Sequence, residues 1–352
     1  MTGNGVARVG LGAGSPEGEN SAYVLPERRA VVDPGPPTDG AWARLCEGIE
    51  AAGVVLGDVE HVFVTHWHVD HAGLAPRLAE AADATVVMHE ADAPLVADYA
   101  DERERRVERD ARRLREWGVP DAVVDALQSG DRPSPLPASL SVEAVADGDE
   151  VAGVEARHTP GHTLGHAAFV AGGTERVDQT EADETLFVGD LVLPTYTPNV
   201  GGGDTRLEDA LATYLESLRR VQALADRRGV ERAAPGHGST LALAERVDEI
   251  VAHHDERSRR TVAALSDIVD ETGGDNSEAT ATPWEVATRL FGEMDGIHAK
   301  MGAGEAASHL DFLRKRGAVE RVESETGVER YRVVDGEKAG VGGGESGVDS
   351  ER

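Results

Sequence analysis

The sequence predicts a layered α/β fold followed by a small helical module that ends in a β-hairpin. Three observations carry that expectation. Up to about residue 245, short apolar runs of strand length alternate with helical stretches. Several of those runs end on histidine or aspartate beside glycine. Beyond residue 248 helical stretches dominate, and two β-rich runs close the pattern.

Strands are expected at 21–25, 29–32, 61–65, 85–88, 154–158, 167–170, 185–188 and 232–234. Their cores, such as Val62-Phe63-Val64 and Phe187-Val188, are apolar on successive residues, as strands buried on both faces require. Helices are expected at 41–51, 74–82, 206–225 and 242–269. Residues 97–136 interrupt the alternation. Within them, 98–117 carry seven acids and seven arginines on a helix-like stretch, Gly118-Val119-Pro120 breaks it, and 121–127 resumes. The charged stretch suits a solvated helix held by i,i+4 ion pairs, or a lid whose arginines help hold an anionic substrate.

The long helix continues through Glu271, and a Gly/Asp/Ser linker occupies 273–278. Helical stretches at 283–293 and 304–316 precede residues 319–334, where Glu325-Thr326-Gly327 separates two β-rich runs. Helix, helix, helix and hairpin is the order of a winged-helix module. The expected division is therefore 1–247, 248–335 and a disordered acidic tail at 336–352.

Sixty-five acids face 35 basic residues, a formal charge of −30, and only Lys300, Lys315 and Lys338 are lysines. Such composition points to a high-salt cytoplasm, where screening tolerates self-repulsion. It disfavours tight non-specific nucleic-acid binding. Cys46 is the single cysteine, which excludes an intrachain disulfide and suits a core position. No run is long enough to span a membrane, and the start lacks a signal region, so a cytoplasmic location is expected.

The most informative segment is Thr65-His66-Trp67-His68-Val69-Asp70-His71. Residues two apart in extended backbone face the same way, so His66 and His68 can reach one cation together. Asp70 and His71 fall where the chain turns toward a helix and can diverge toward a second. Three further strand ends each offer one donor: His162 in Thr159-Pro160-Gly161-His162-Thr163, Asp190 in Val188-Gly189-Asp190, and His237 in Pro235-Gly236-His237-Gly238. Histidine and carboxylate donors suit zinc, with iron or manganese as alternatives.

These motifs, with residues 21–25 and Val31-Val32-Asp33-Pro34-Gly35, resemble the successive motifs of the metallo-β-lactamase superfamily. The resemblance implies an αβ/βα sandwich of four layers with a binuclear site at one edge of two sheets. It implies that His66, His68 and His162 hold a first metal, Asp70, His71 and His237 a second, and that Asp190 bridges them. Asp33 would support the ligands from behind. The C-terminal pattern resembles the β-lactamase-associated winged helix, found in β-lactamase-like endoribonucleases.

The implied enzyme is a binuclear zinc hydrolase in which a metal-bridged hydroxide, oriented by Asp70, attacks an ester-like bond. Its substrate is a thioester or related small metabolite, as in hydroxyacylglutathione hydrolases. The alternative is cleavage of single-stranded RNA, and a third reading is a nucleic-acid-binding regulator. The winged helix would serve as a wall or as a homodimer contact. Trp67 is expected to pack on the far face, and His166 to support packing. His89, His158 and His61 are expected to be structural; Asn199 and Gly201–Gly203 either shape the pocket mouth or form a plain loop; and His254 with Arg257 is the weakest candidate for reaching substrate near the domain junction.

Overall fold

The computed structural model describes residues 5–15, 17–172, 184–271, 279–324 and 326–334. The first half of the hydrolase-like region forms a six-stranded sheet of β1 (Ala7–Ser15), β2 (Gly18–Leu25), β3 (Ala30–Val32), β4 (His61–Val64), β5 (Thr85–His89) and β6 (Val142–Val145), in that spatial order. The pairs from β3 to β6 are parallel, so each needs a crossover. The crossovers carry α1 (Asp39–Ala51), α2 (Val69–Ala72) and α3 (Ala75–Ala82), then α4 (Pro94–Ala97), α5 (Tyr99–Glu116) and α6 (Asp121–Gly130).

A second six-stranded sheet contains β7 (Glu150–Val151), β8 (Val154–His158), β9 (Ala167–Ala171), β10 (Thr185–Gly189), β11 (Arg232–Pro235) and β12 (Leu241–Ala242). Here only β10 and β11 run parallel, joined through α7 (Ala210–Arg228). Alternation along the strands explains the layers. Phe63, Phe169 and Phe187 point between the sheets, where Phe63 and Phe169 meet edge to face at 5.2 Å. Val62 and Val64 face the other way, onto α1 and α3. Leu186 and Val188 face α7 and α8 (Leu243–Glu271). The result is the four-layer α/β/β/α sandwich that the motifs implied.

The chain ends in α8, α9 (Pro283–Phe291), α10 (Gly296–Lys315) and an antiparallel hairpin of β13 (Val319–Val322) and β14 (Arg330–Val333). A capping box at Thr282 and Glu285 starts α9. These elements share a core around Leu265, Val286, Leu310 and Tyr331. The expected boundary at 247/248 falls inside α8. The linker at 273–278, Glu325 and the tail at 336–352 lie outside the described residues.

Three expectations change. Strands β1, β6, β7 and β12 are not among the expected strands, yet each pairs at a sheet edge. The last long helix begins at Gly296 rather than at 304. Cys46 is half-buried rather than a core residue, because it sits on the flank of α1 beside Leu45 and Ile49, which point inward. Among the described residues, no helix is long and apolar enough to cross a membrane.

Candidate metal centre

All seven donors singled out in the sequence come together at one edge of the two sheets. His66, His68 and His162 form one group, Asp70, His71 and His237 another, and Asp190 joins His66 and His71 in a third. The first sheet supplies His66 to His71 from the end of β4 and the short α2. The second supplies His162, Asp190 and His237 from the ends of β8, β10 and β11.

The hydrogen bonds behind the rings decide which nitrogens face inward. Asp33 accepts from the Thr65 amide and hydroxyl, both at 2.8 Å. Because the Thr65 hydroxyl proton is committed there, its oxygen accepts from His66 Nδ1 at 3.0 Å. Asp33 Oδ2 also takes His71 Nδ1 at 3.1 Å. His162 Nδ1 donates to the Asn199 carbonyl at 3.3 Å and His237 Nδ1 lies 3.5 Å from that of Gly18. Each outer nitrogen therefore holds a proton, and each Nε2 faces inward, where a cation can take the place of any proton it carries.

Three lone-pair carriers then converge, with His66 Nε2 and His162 Nε2 each 3.0 Å from His68 Nδ1. His71 Nε2 lies 3.5 Å from Asp70 and 3.4 Å from Asp190, and His237 Nε2 lies 3.3 Å and 3.4 Å from the same carboxylates. His71 Nε2, Asp190 Oδ1 and His237 Nε2 are buried without a hydrogen-bond partner. Electron-rich atoms facing one another in the interior suit cations.

The electrostatics agree. Burial, then the His162 ring, holds His68 down at about 3. Burial and the neighbouring rings hold His66 well below its usual range. Burial would also lower His71 and His237, but Asp190 and Asp70 override it, taking His71 well above its usual value and His237 to about 9. Burial would raise Asp190, yet His71 and His237 keep it ionised. Positive charge is in demand between the carboxylates.

Five of the donors, His68, Asp70, His162, Asp190 and His237, open onto a cavity of about 800 Å³, with His66 and His71 buried behind them. The charged helix α5 contributes Tyr99, Arg103 and Arg106 to it, while Ile297 and Met301 of α10 form another wall. Asp131 pairs with both Arg103 and Arg106, so ion pairs and site lining occur on one helix. Trp67 corrects an expectation: it lines the cavity, where Arg106 lies over its ring at 5.5 Å and His68 meets its edge. His254 is buried against His309 and Tyr214, because α8 turns it into the core rather than toward substrate. His89 stacks on His158 at 3.9 Å, and His61 on Phe63. His166 is buried behind His66 with Nδ1 on Thr159.

Sequence reasoning missed two residues. Asn20 donates to the Asp70 carboxylate and carbonyl, both at 3.1 Å. Asp92 accepts from the Trp67 amide at 3.3 Å, the Thr163 hydroxyl at 2.7 Å and the Gly165 amide at 2.8 Å, tying two ligand loops together. Arg206 completes that site at 2.5 Å. Asp92 follows the end of β5, so the strand-end argument applied to the other donors would have found it.

The family model for the metallo-β-lactamase superfamily matches residues 15–237. This chain belongs to that superfamily. A metallo-β-lactamase fold implies divalent metal ions, and the histidine and aspartate groups stand at its sheet edge. An atrochrysone carboxyl ACP thioesterase of Aspergillus fumigatus is 28% identical over 243 residues, or 67% of this chain. The chain spans only 57% of that relative's length. A probable metallo-hydrolase of Bacillus subtilis, YqjP, is 25% identical over 82% of this chain and 85% of its own. The metallo-β-lactamase family protein TTHA1429 of Thermus thermophilus superposes with a TM-score of 0.68 at 28% identity, covering 94% of this chain and 99% of that one.

Proposed function

We propose that this chain is a metal-dependent hydrolase that cleaves an ester-like bond, with a thioester or related small metabolite as substrate. His66, His68 and His162 would hold one cation and Asp70, His71 and His237 a second, with Asp190 available to both groups. The observation that carries this reading is the set of inward lone pairs and carboxylates at the floor of one cavity. Zinc is the metal we assign, since the donors are imidazole and carboxylate. When bound, the cations supply a water of near-neutral pKa and polarise the scissile carbonyl.

The chain's own residues do the rest. Asn20 fixes the Asp70 carboxylate, whose oxygen is then placed to orient the attacking hydroxide. Asp33 and Thr65 keep His66 and His71 in the tautomers that present Nε2. Trp67, Leu193 and Met301 offer apolar surface to an acyl group, and Arg44 and Arg132 offer charge at the walls. The thioesterase among the relatives supports this choice of bond. We assign the C-terminal helices and hairpin to the winged-helix class, acting as a wall of the cavity, and the acidic chain to a high-salt cytoplasm.

The test is metal analysis of the purified protein at high salt, followed by a panel of thioesters, lactones, phosphodiesters and single-stranded RNA. Thioester turnover should vanish on chelation and fall by at least roughly 10–100-fold in Asp70→Asn. Cleavage of RNA alone would replace this substrate with the endoribonuclease alternative. A metal-loaded protein inert on the whole panel would refute a hydrolase.

A further inference from the structure

We propose that Asn199 is a positioning residue through which the C-terminal module completes the metal centre, an inference that rests on the ligand assignment above. Asn199 stands between the ligand loops and α10. Its carbonyl takes the proton of His162 Nδ1 at 3.3 Å, which leaves His162 Nε2 facing His68.

Its side chain uses its full capacity of two donors and two acceptor sites. Oδ1 accepts from the Gly202 and Gly203 amides, both at 3.1 Å. Nδ2 donates to the Met301 carbonyl at 3.2 Å and to Glu305 Oε2 at 3.0 Å, both on α10. Glu305 Oε1 accepts from Arg257 of α8 at 3.0 Å. Two helices of the module are therefore linked to the loop that orients a ligand histidine.

Backbone packing reinforces the link. A Cβ on Gly304 would lie 2.4 Å from Gly202 Cα, and one on Gly202 would lie 2.5 Å from Met301 Cα. Helix and loop thus touch main chain to main chain. On the other side of the loop, a Cβ on Gly203 would lie 3.4 Å from His68 Cε1. Lys300 of α10 closes the contact by reaching Asp110 of α5 at 2.7 Å, and Asp110 accepts from Thr205 at 2.6 Å.

His254, Glu305 and His309, also grouped closely enough to hold a cation, are better explained as the base of this link. Both Glu305 oxygens are engaged and Arg257 stands beside them. His254 Nδ1 meets His309 Nε2 at 3.3 Å, and His309 Nδ1 meets Ser258 at 3.0 Å.

The experiment uses full-length protein carrying Asn199→Ala, Asn199→Asp or Glu305→Gln. Co²⁺ is titrated against a competing chelator with its absorption spectrum recorded, and amide exchange of Gly202 and Gly203 is measured without metal. Asn199→Ala should weaken one of two binding steps by roughly 10–100-fold, change the spectrum of that step and leave the other near wild type. The two glycine amides should lose protection. Asn199→Asp, which sets a carboxylate oxygen against Glu305 Oε2 and the Met301 carbonyl, should weaken that step at least as much as Asn199→Ala. Glu305→Gln, which keeps an acceptor for Nδ2, should retain most of the affinity. Wild-type affinities and spectrum, with only a lowered Tm, would overturn the proposal. A wild type that takes up no Co²⁺ would defeat the ligand assignment itself, and unchanged Gly202 and Gly203 protection in Asn199→Ala would then also defeat the coupling.

Discussion

Asp33 shows how one side chain sets the state of several others. It adopts a left-handed φ of 50°, unusual for a non-glycine residue, and from there serves Thr65 and His71 at once. Backbone strain at such a point is tolerated because the surroundings over-determine it. Gly236 is the opposite case, a residue whose value lies in what it lacks. A Cβ there would sit 2.4 Å from Asp190 Oδ1 and 2.5 Å from His71 Cε1. Gly236→Ala should therefore displace both donors and lower bound metal by at least about tenfold in affinity, while far-UV circular dichroism stays native. Unchanged metal content would contradict the close approach. The histidine motifs were legible because their chemistry is rare and they sit at strand ends. The task of Asn20 was not, and Asn199 and Asp92, though placed at a turn and past a strand end, take theirs from partners distant in sequence.

At the scale of elements, legibility followed local pattern. The central strands of the two sheets carry β-branched and aromatic residues and declared themselves, while the short β6, β7 and β12 did not. Strand β1, Ala-Arg-Val-Gly-Leu-Gly-Ala-Gly-Ser, did not, because glycine and alanine have weak strand preference and its pairing with β2 supplies the order. The first turns of α10 hid for a related reason. Gly296 and Gly302 precede the start expected at 304, yet both lie in the helix, and Gly302 packs closely against Met294. The contact of α8 with α10 also carries a pH dependence. Burial, then the charges of His253 and Arg257, holds His254 at about 3 against an ordinary 6.5. The unfolded chain thus takes up a proton near pH 6.5 that the folded chain refuses until about 3, so stability is present above 6.5 and declines as pH falls. From pH 6.5 to 5 this one group accounts for at most about 2 kcal/mol. Urea midpoints of wild type and His254→Gln across that range should show a shallower slope in the variant.

Over the whole molecule, the charge of −30 makes ionic strength a structural variable. The Debye length shortens from ~10 Å at 0.1 M salt to ~3 Å at 1 M, which screens carboxylate repulsion over most of the surface. Thermal midpoints should therefore rise steeply with added potassium chloride, and a flat profile would refute the high-salt assignment. The two sheets, each contributing about half of the donors, have a further consequence. Ions seated between them act as rivets across a seam, and neither half-chain alone owns a complete set of holes. Loading and folding then become one equilibrium, in which resistance to denaturant climbs with the logarithm of free metal once it exceeds the dissociation constant.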